Sequence, residues 1–481
     1  MEWIVIFFYT LSLFLITLFS LGQLNLTIHY LRSKGKTKPA QILSHKPFVT
    51  IQLPVYNERY VIERLIEAIC RIDYPLCKME IQVLDDSSDE TTEIIQHRIE
   101  KYQKVGFDIQ HIRRPQRTGY KAGALQYGLE RAKGEFIAIF DADFIPTPEF
   151  LLKTLPHFSE KTGMVQTRWD HINKDYSLLT KMQAFGLDAH FTIEQSGRSA
   201  AGSFINFNGT AGVWKKECIE DAGGWQYDTL TEDLDLSYRA QLKGWKFEYL
   251  EEVLSPAELP VVIPAIKSQQ YRWNKGAAET ARKNLKNVWL SPLKIKHKLR
   301  AIQHLMNSSV FFFLLVAALL SIPMLYYKEI HPQIRIIFDI GTIFITGFIA
   351  ITIFYWVSSK ASVKEKPFRY FSFNFPLFLA FSMGLALHNS VAILEGFTGK
   401  KTAFVRTPKF NITSRSDTWK SNKYLVRSFS FHTFLEGLLS LYFIFGIYLG
   451  LLFQDYGLII FHAMMATGFG LVFYHTIRQN G

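Results

Sequence analysis

An apolar stretch opens the chain over residues 3–30, free of charge through Ser20, and Arg32, Lys34, Lys36 and Lys38 follow it. A run of that length approaches a bilayer crossing, and the basic flank marks its inner end. Glu2, the lack of a basic start and the lack of a small-residue cleavage pattern point to a retained anchor rather than a signal peptide. Further runs rich in Phe, Leu and Ile lie at 302–327, 334–357, 371–394, 434–453 and 456–474. If all six crossed, residues 395–431 would lie outside, yet they carry Lys400, Lys401, Arg406, Lys409, Arg415, Lys420, Lys423 and Arg427. That arrangement opposes the positive-inside rule, and the preceding loop, with Lys360, Lys364, Lys366 and Arg369, is basic as well. The pattern therefore predicts five crossings. Residues 371–394, with Asn374, Pro376, Gly384, His388 and Asn389, form an interfacial or re-entrant helix. The region 34–301, the loop at Lys400 and the C-terminus then face the cytoplasm.

Between the first two runs the period changes. Short apolar segments at 48–53, 80–84, 107–112 and 135–140 read as strands, and helical patterns at 58–70, 89–103 and 121–131 separate them. This alternation predicts an α/β domain with a mainly parallel sheet. Such sheets bind ligands where loops leave the carboxyl ends of strands, and the polar clusters fall there: Asn57 with Glu58, Asp85 with Asp86, and Asp141 with Asp143. No G-x-G-x-x-G follows the first strand and no G-x-x-x-x-G-K-[ST] occurs, which argues against a Rossmann dinucleotide site and a P-loop.

Composition sharpens this division. At 481 residues, 48% hydrophobic and 15% aromatic, the chain exceeds one ordinary domain. The net charge of +12 raises the question of nucleic acid, but the basic residues cluster beside apolar runs, so no nucleic-acid partner is expected. Cys70, Cys77 and Cys218 have no zinc spacing and are too few for a disulfide framework, which fits a reducing compartment.

Four clusters carry the chemistry. Asp141-Ala142-Asp143 ends a strand with two carboxylates suited to a divalent cation bridging protein and diphosphate; an isolated pattern of this kind is more often a solvated turn, and its place at a strand end beside the other clusters reverses that. Asp85-Asp86-Ser87-Ser88-Asp89 ends another strand, with Ser88 or Asp89 as helix cap and Asp85 and Asp86 as candidates for base and ribose. Thr231-Glu232-Asp233 opens a helix, where acids also favour the dipole, and Asp233 is the choice for a general base. Gln269-Gln270-Tyr271-Arg272-Trp273 joins a guanidinium suited to diphosphate with an indole that stacks on sugar.

The order D-D, D-x-D, T-E-D, Q-x-x-R-W resembles family 2 glycosyltransferases of the cellulose synthase superfamily. Residues 81–87, 119–125 and 207–214 are most similar to the plant cellulose-synthase-like A and C proteins, which make mannan and glucan backbones. The likeness implies an α/β GT-A domain inserted in an α-helical transmembrane region: an anchor at 1–31, a catalytic domain at 45–285, and interfacial helices, a gating loop at 400–412 and membrane helices over 286–481. It implies inverting transfer of a hexose from UDP-glucose or GDP-mannose, leaning slightly to a glucan, with Mg2+ or Mn2+. The product it implies is a β-linked polysaccharide, with export through the membrane helices expected.

By position, the resemblance gives Asp85, Asp86, Glu58, Lys121, Asp141, Gln269, Arg272, Thr407 and Lys409 to the donor. Trp273, Asn208 and Glu232 go to the acceptor, Asp141 and Asp143 to metal, and Asp233 to base catalysis. Residues 404–409 resemble the F-x-V-T-x-K gating loop, with Arg406 in place of the usual Val. The expected partners are the nucleotide sugar, the glycan, membrane lipids and accessory export subunits, and the expected place is a cell membrane or the Golgi. A single transfer to lipid, as in ceramide glucosyltransferases, is the rival, with a lipid acceptor.

Overall fold

The computed structural model describes residues 2–35, 45–331, 341–425 and 430–480. Lys36, Lys38, Arg427 and the start of the run at 334–357 lie outside the described residues.

Among the described residues, seven strands form one sheet: β1 (Val49–Val55), β2 (Met79–Asp85), β3 (Asp108–Ile112), β4 (Phe136–Ile139), β5 (Thr162–His171), β6 (Gly212–Lys215) and β7 (Lys246–Ala257), in the order β3-β2-β1-β4-β6-β5-β7. β1 to β4 pair in parallel, as do β5 and β7, and β6 runs antiparallel to both of its neighbours. The mainly parallel sheet expected from the alternation is present, with one reversed strand. Residues 49–53 and 79–85 are buried throughout, as strands covered on both faces must be. Successive side chains supply two cores: Ala138 joins Ile51 and Leu53 on one face, and Ile137 and Ile139 join Leu125, Trp214 and Leu236 on the other. Buried polar side chains between strands pair with one another, as where Gln52 Nε2 donates to Gln82 Oε1 at 3.0 Å.

The helices expected after the first three strands are Ile62–Ile69, Thr91–Gln103 and Tyr120–Leu129. Of the two expected caps, Asp89 accepts the Thr91 N–H at 3.0 Å, whereas Glu90 stands at the cap position itself and Ser88 turns to Asn57. Beyond the sheet, the 28-residue helix Ile263–Leu290 crosses the domain towards the C-terminal helices.

Among the described residues, five helices are long and apolar enough to cross a membrane: Glu2–Ser33, Asn307–Ile330, Thr342–Ser362, Phe431–Leu452 and Tyr456–Gln479. The run at 371–394 falls on two helices, Pro367–Gly384 and Ala386–Thr398, which meet at 50°. The second of these packs on Ile263–Leu290, where His388 Nε2 donates to the Lys267 carbonyl at 2.9 Å.

Candidate active site

A cleft enclosing about 170 Å³ lies at the carboxyl edge of the sheet, where β1, β2 and β4 end in the same direction and the segment entering β6 meets them. The antiparallel β6 matters here, because Ile139 pairs with Gly212 and so brings Asn208 and Gly209 beside Asp141. Three non-glycine residues on these loops, Asn57, Tyr120 and Ala211, take left-handed backbone conformations with φ between 50° and 55°. Strain of that kind persists only where surrounding structure holds it, commonly at functional sites.

Lys121 sits at the centre. Its Nζ donates to Asp141 Oδ1 at 2.6 Å and to the Gly209 carbonyl at 2.9 Å, and lies 4.0 Å from Glu232. Burial disfavours the charge on Lys121, but Asp141, Glu232 and Asp233 together outweigh it and raise the affinity for its proton. Asp233, in the first turn of the helix Glu232–Leu242, accepts the Leu234 N–H through Oδ1 at 2.8 Å. Burial first, and the adjacent Glu232 second, push the Asp233 carboxyl up to about 7. The approach is close: Gly209 has φ +81°, and a Cβ there would stand 2.9 Å from Asp233 Oδ2.

The helix Ile263–Leu290 delivers Gln269, Arg272 and Trp273 to the opposite wall. It comes near because Gly276 lets the backbone of Thr231 within 2.8 Å of where a Cβ would be. Arg272 Nη2 donates to Thr407 Oγ1 at 2.8 Å, and its guanidinium lies 4.9 Å from the Phe404 ring centroid. The 404–409 loop thus closes one side of the cleft. Lys409 Nζ reaches Asp143 Oδ2 at 2.6 Å and Arg406 reaches Glu58 Oε2 at 2.6 Å. Burial pushes Glu58 up to about 7 in spite of Arg406 and Lys409.

Of the residues singled out in the sequence, Glu58, Asp86, Lys121, Asp141, Asp143, Asn208, Glu232, Asp233, Gln269, Arg272, Trp273, Thr407 and Lys409 line this one cleft. Asp85 does not. Its carboxylate points into the domain, held by His111 Nε2 at 2.9 Å, Thr92 Oγ1 at 2.9 Å and the Ser87 N–H at 2.8 Å, so of the pair only Asp86 faces the cleft. Sequence reasoning missed Tyr56, Arg117 and Glu258, which also line the cleft. Tyr56 and Glu258 directly follow strand ends, so the rule that found Asp86 and Asp141 would have found them, whereas Arg117 stands five residues beyond β3.

Asp141 and Asp143 fit a hard divalent cation: two carboxylates two residues apart offer oxygen donors, and diphosphate and water complete such a shell. The ammonium groups of Lys121 and Lys409, each 2.6 Å from one of these carboxylates, stand where positive charge is wanted.

The family model for glycosyl transferase family 2 matches residues 50–217, and the glycosyl transferase family group 2 model matches residues 136–359. The chain belongs to glycosyltransferase family 2. Among curated relatives of this family 2 chain, a probable glucomannan 4-beta-mannosyltransferase 4 of Oryza sativa subsp. japonica is 37% identical over 362 residues, 73% of this chain and 63% of the relative. Glucomannan 4-beta-mannosyltransferase 7 of Arabidopsis thaliana is 42% identical over 243 residues, 49% of this chain and 44% of the relative. The chain spans 42% to 63% of the length of the first such relatives. Among solved structures, the mannosyltransferase PcManGT from Pyrobaculum calidifontis, in complex with GDP-Man and Mn2+, superposes with a TM-score of 0.53 at 18% identity, covering 82% of this chain and all of that one. The likeness extends to the fold, and the α/β unit is a GT-A domain.

Proposed function

We propose that this family 2 glycosyltransferase is an inverting, processive enzyme of the membrane that moves a mannosyl group from GDP-mannose to the end of a β-linked glycan. The observation that carries the reading is the meeting of Asp141 and Asp143, Asp233, and Gln269, Arg272 and Trp273 under the 404–409 loop in one cleft. The names of the curated relatives favour mannose over the glucose to which the sequence leans.

In this reading Asp86 takes the nucleoside. Arg272, Lys409 and Lys121 surround the diphosphate, and their charges counter the charge that grows on the leaving group. Asp141 and Asp143 would hold Mg2+ or Mn2+, which when bound neutralises diphosphate charge. Asp233 accepts the proton of the acceptor hydroxyl as that oxygen attacks the anomeric carbon opposite the diphosphate, and attack from that side inverts the configuration. A carboxyl poised near neutral pH suits this work. Trp273 offers its indole face to the acceptor sugar, and Asn208 and Glu232 offer hydrogen bonds. Lys121 and Lys409 exchange their carboxylate partners for phosphate as the donor enters, so the loop is then held to the donor through Lys409.

The catalytic domain lies on the cytoplasmic face, and the five apolar helices give the product a route outward. Exposed Trp289, Leu290, Ile295 and Leu299 alternate with Lys286, Lys294, Lys296 and Lys298, a pattern that suits an anionic lipid surface. Release of nucleoside diphosphate by membranes carrying the chain tests the reading. GDP release from GDP-mannose with Mn2+, lost in Asp233→Asn, is expected; equal release by the variant would overturn the role of the carboxylate.

A further inference from the structure

With the diphosphate at Asp141 and Asp143 and the reacting carbon near Asp233, the nucleoside must extend the other way, to the edge formed by the loops after β1, β2 and β3. Three arginines meet there: Arg113, whose Nη2 donates to the Ser87 carbonyl at 2.9 Å, and Arg114 and Arg117, which differ. Arg114 spends its donors on the protein, with Asp86 Oδ1 at 2.7 Å, Asp86 Oδ2 at 2.6 Å, and the carbonyls of Thr118 at 2.6 Å and Tyr120 at 2.7 Å. Arg117 spends none among the described residues. Its guanidinium carbon lies 3.3 Å from the Tyr56 ring centroid, so the planar group must lie flat on that ring, and 4.9 Å from the Tyr120 ring centroid. Its Nε is buried without a hydrogen-bond partner, and the nearest carboxylate oxygen, Asp86 Oδ2, is 4.0 Å away, beyond hydrogen-bond reach.

A buried Nε–H left without an acceptor, on a guanidinium held flat against Tyr56, costs stability unless a ligand completes it. We infer that Arg117 is the residue that reads the donor's nucleobase, its N–H fork taking the two adjacent acceptors of a guanine edge. The inference rests on the glycosyl-transfer reading above. Guanine presents O6 and N7 side by side, the pair an arginine fork matches best, whereas uracil presents O4 beside a C–H. Asp86, whose oxygens retain acceptor capacity beyond the Arg114 bonds, takes the N–H groups of the same base. Uracil satisfies Asp86 through its single N–H and offers the Arg117 fork one acceptor, O4, where guanine offers two, and discrimination follows from that difference.

The test is calorimetric titration of the purified full-length protein with GDP and with UDP in the presence of Mn2+, for the wild type, Arg117→Met and Arg117→Lys. Methionine keeps an apolar stem on Tyr56, and lysine keeps the charge without the fork. The wild type is expected to bind GDP more tightly than UDP, and both variants to lose about 10- to 100-fold for GDP and under about twofold for UDP. Equal losses for the two nucleotides, full affinity for GDP in the lysine variant, or a wild type that prefers UDP would each overturn the inference while leaving a glycosyltransferase. A wild type that binds neither nucleotide would overturn the glycosyl-transfer reading itself.

Discussion

Replacing Gly209 with alanine should slow turnover without loosening the donor. Gly209 has φ +81°, where an L-residue costs about 1–2 kcal/mol. The added Cβ would stand 2.9 Å from Asp233 Oδ2 and 3.4 Å from Lys121 Nζ. Ordinary carbon contacts begin near 3.5 Å, so the carboxylate must retreat by about 0.5 Å or more. Since a displacement of about 1 Å in a reacting group costs about 100-fold, kcat should fall roughly 10- to 100-fold. The donor's contacts at Asp86 and Arg272 lie outside this collision, and KM for the donor should stay within about twofold. Initial rates against GDP-mannose concentration, normalised to protein in the membranes, measure both parameters. A well-expressed variant with wild-type kcat would refute the claim that the position of Asp233 governs the rate.

Other expectations follow from the same geometry. Asp233 must be deprotonated to accept a proton, and its pKa is raised by burial and Glu232 to about 7, so kcat should rise about tenfold per pH unit below that value and level off above it; a flat profile from pH 5.5 to 8 contradicts the base assignment. Lys275, fully buried, donates to the Lys400 carbonyl at 2.6 Å and Thr402 Oγ1 at 2.8 Å, fixing the base of the 404–409 loop three residues beyond Arg272. Lys275→Met leaves both acceptors unpaired, at a cost of about 1–3 kcal/mol, and should raise KM for the donor by about tenfold with faster proteolysis in the loop; an unchanged cleavage rate speaks against that anchor. Chelation with EDTA should abolish transfer and Mn2+ restore it in the wild type, whereas Asp143→Asn should need much more Mn2+; full activity in EDTA removes the metal from the account.

Much of this was legible in the sequence because the chemistry sits at strand ends. A hydrophobic run that stops at Asp141 or Asp86 announces both the strand and the loop, and the apolar runs announce the long helices. Asp85 was not separable from Asp86, since alternation along a strand sends one carboxylate inward and one outward, and only the packing of His111 and Thr92 decides which. The reversed β6 was missed because residues 212–215 are too short to show a period, yet β6 carries Asn208 and Gly209 to the site. Arg117 resembled any basic loop residue until its lack of an acceptor could be seen beside the fully engaged Arg114. The break between Gly384 and Ala386 was likewise hidden within one apolar run.

The central claim is tested most directly by the product. Membranes carrying the chain, given radiolabelled GDP-mannose or UDP-glucose with Mn2+, should place label from GDP-mannose in ethanol-insoluble polymer that an endo-β-mannanase digests, and Asp233→Asn membranes should not. Label confined to lipid extracts, or polymer unaffected by the Asp233→Asn change, would contradict the account.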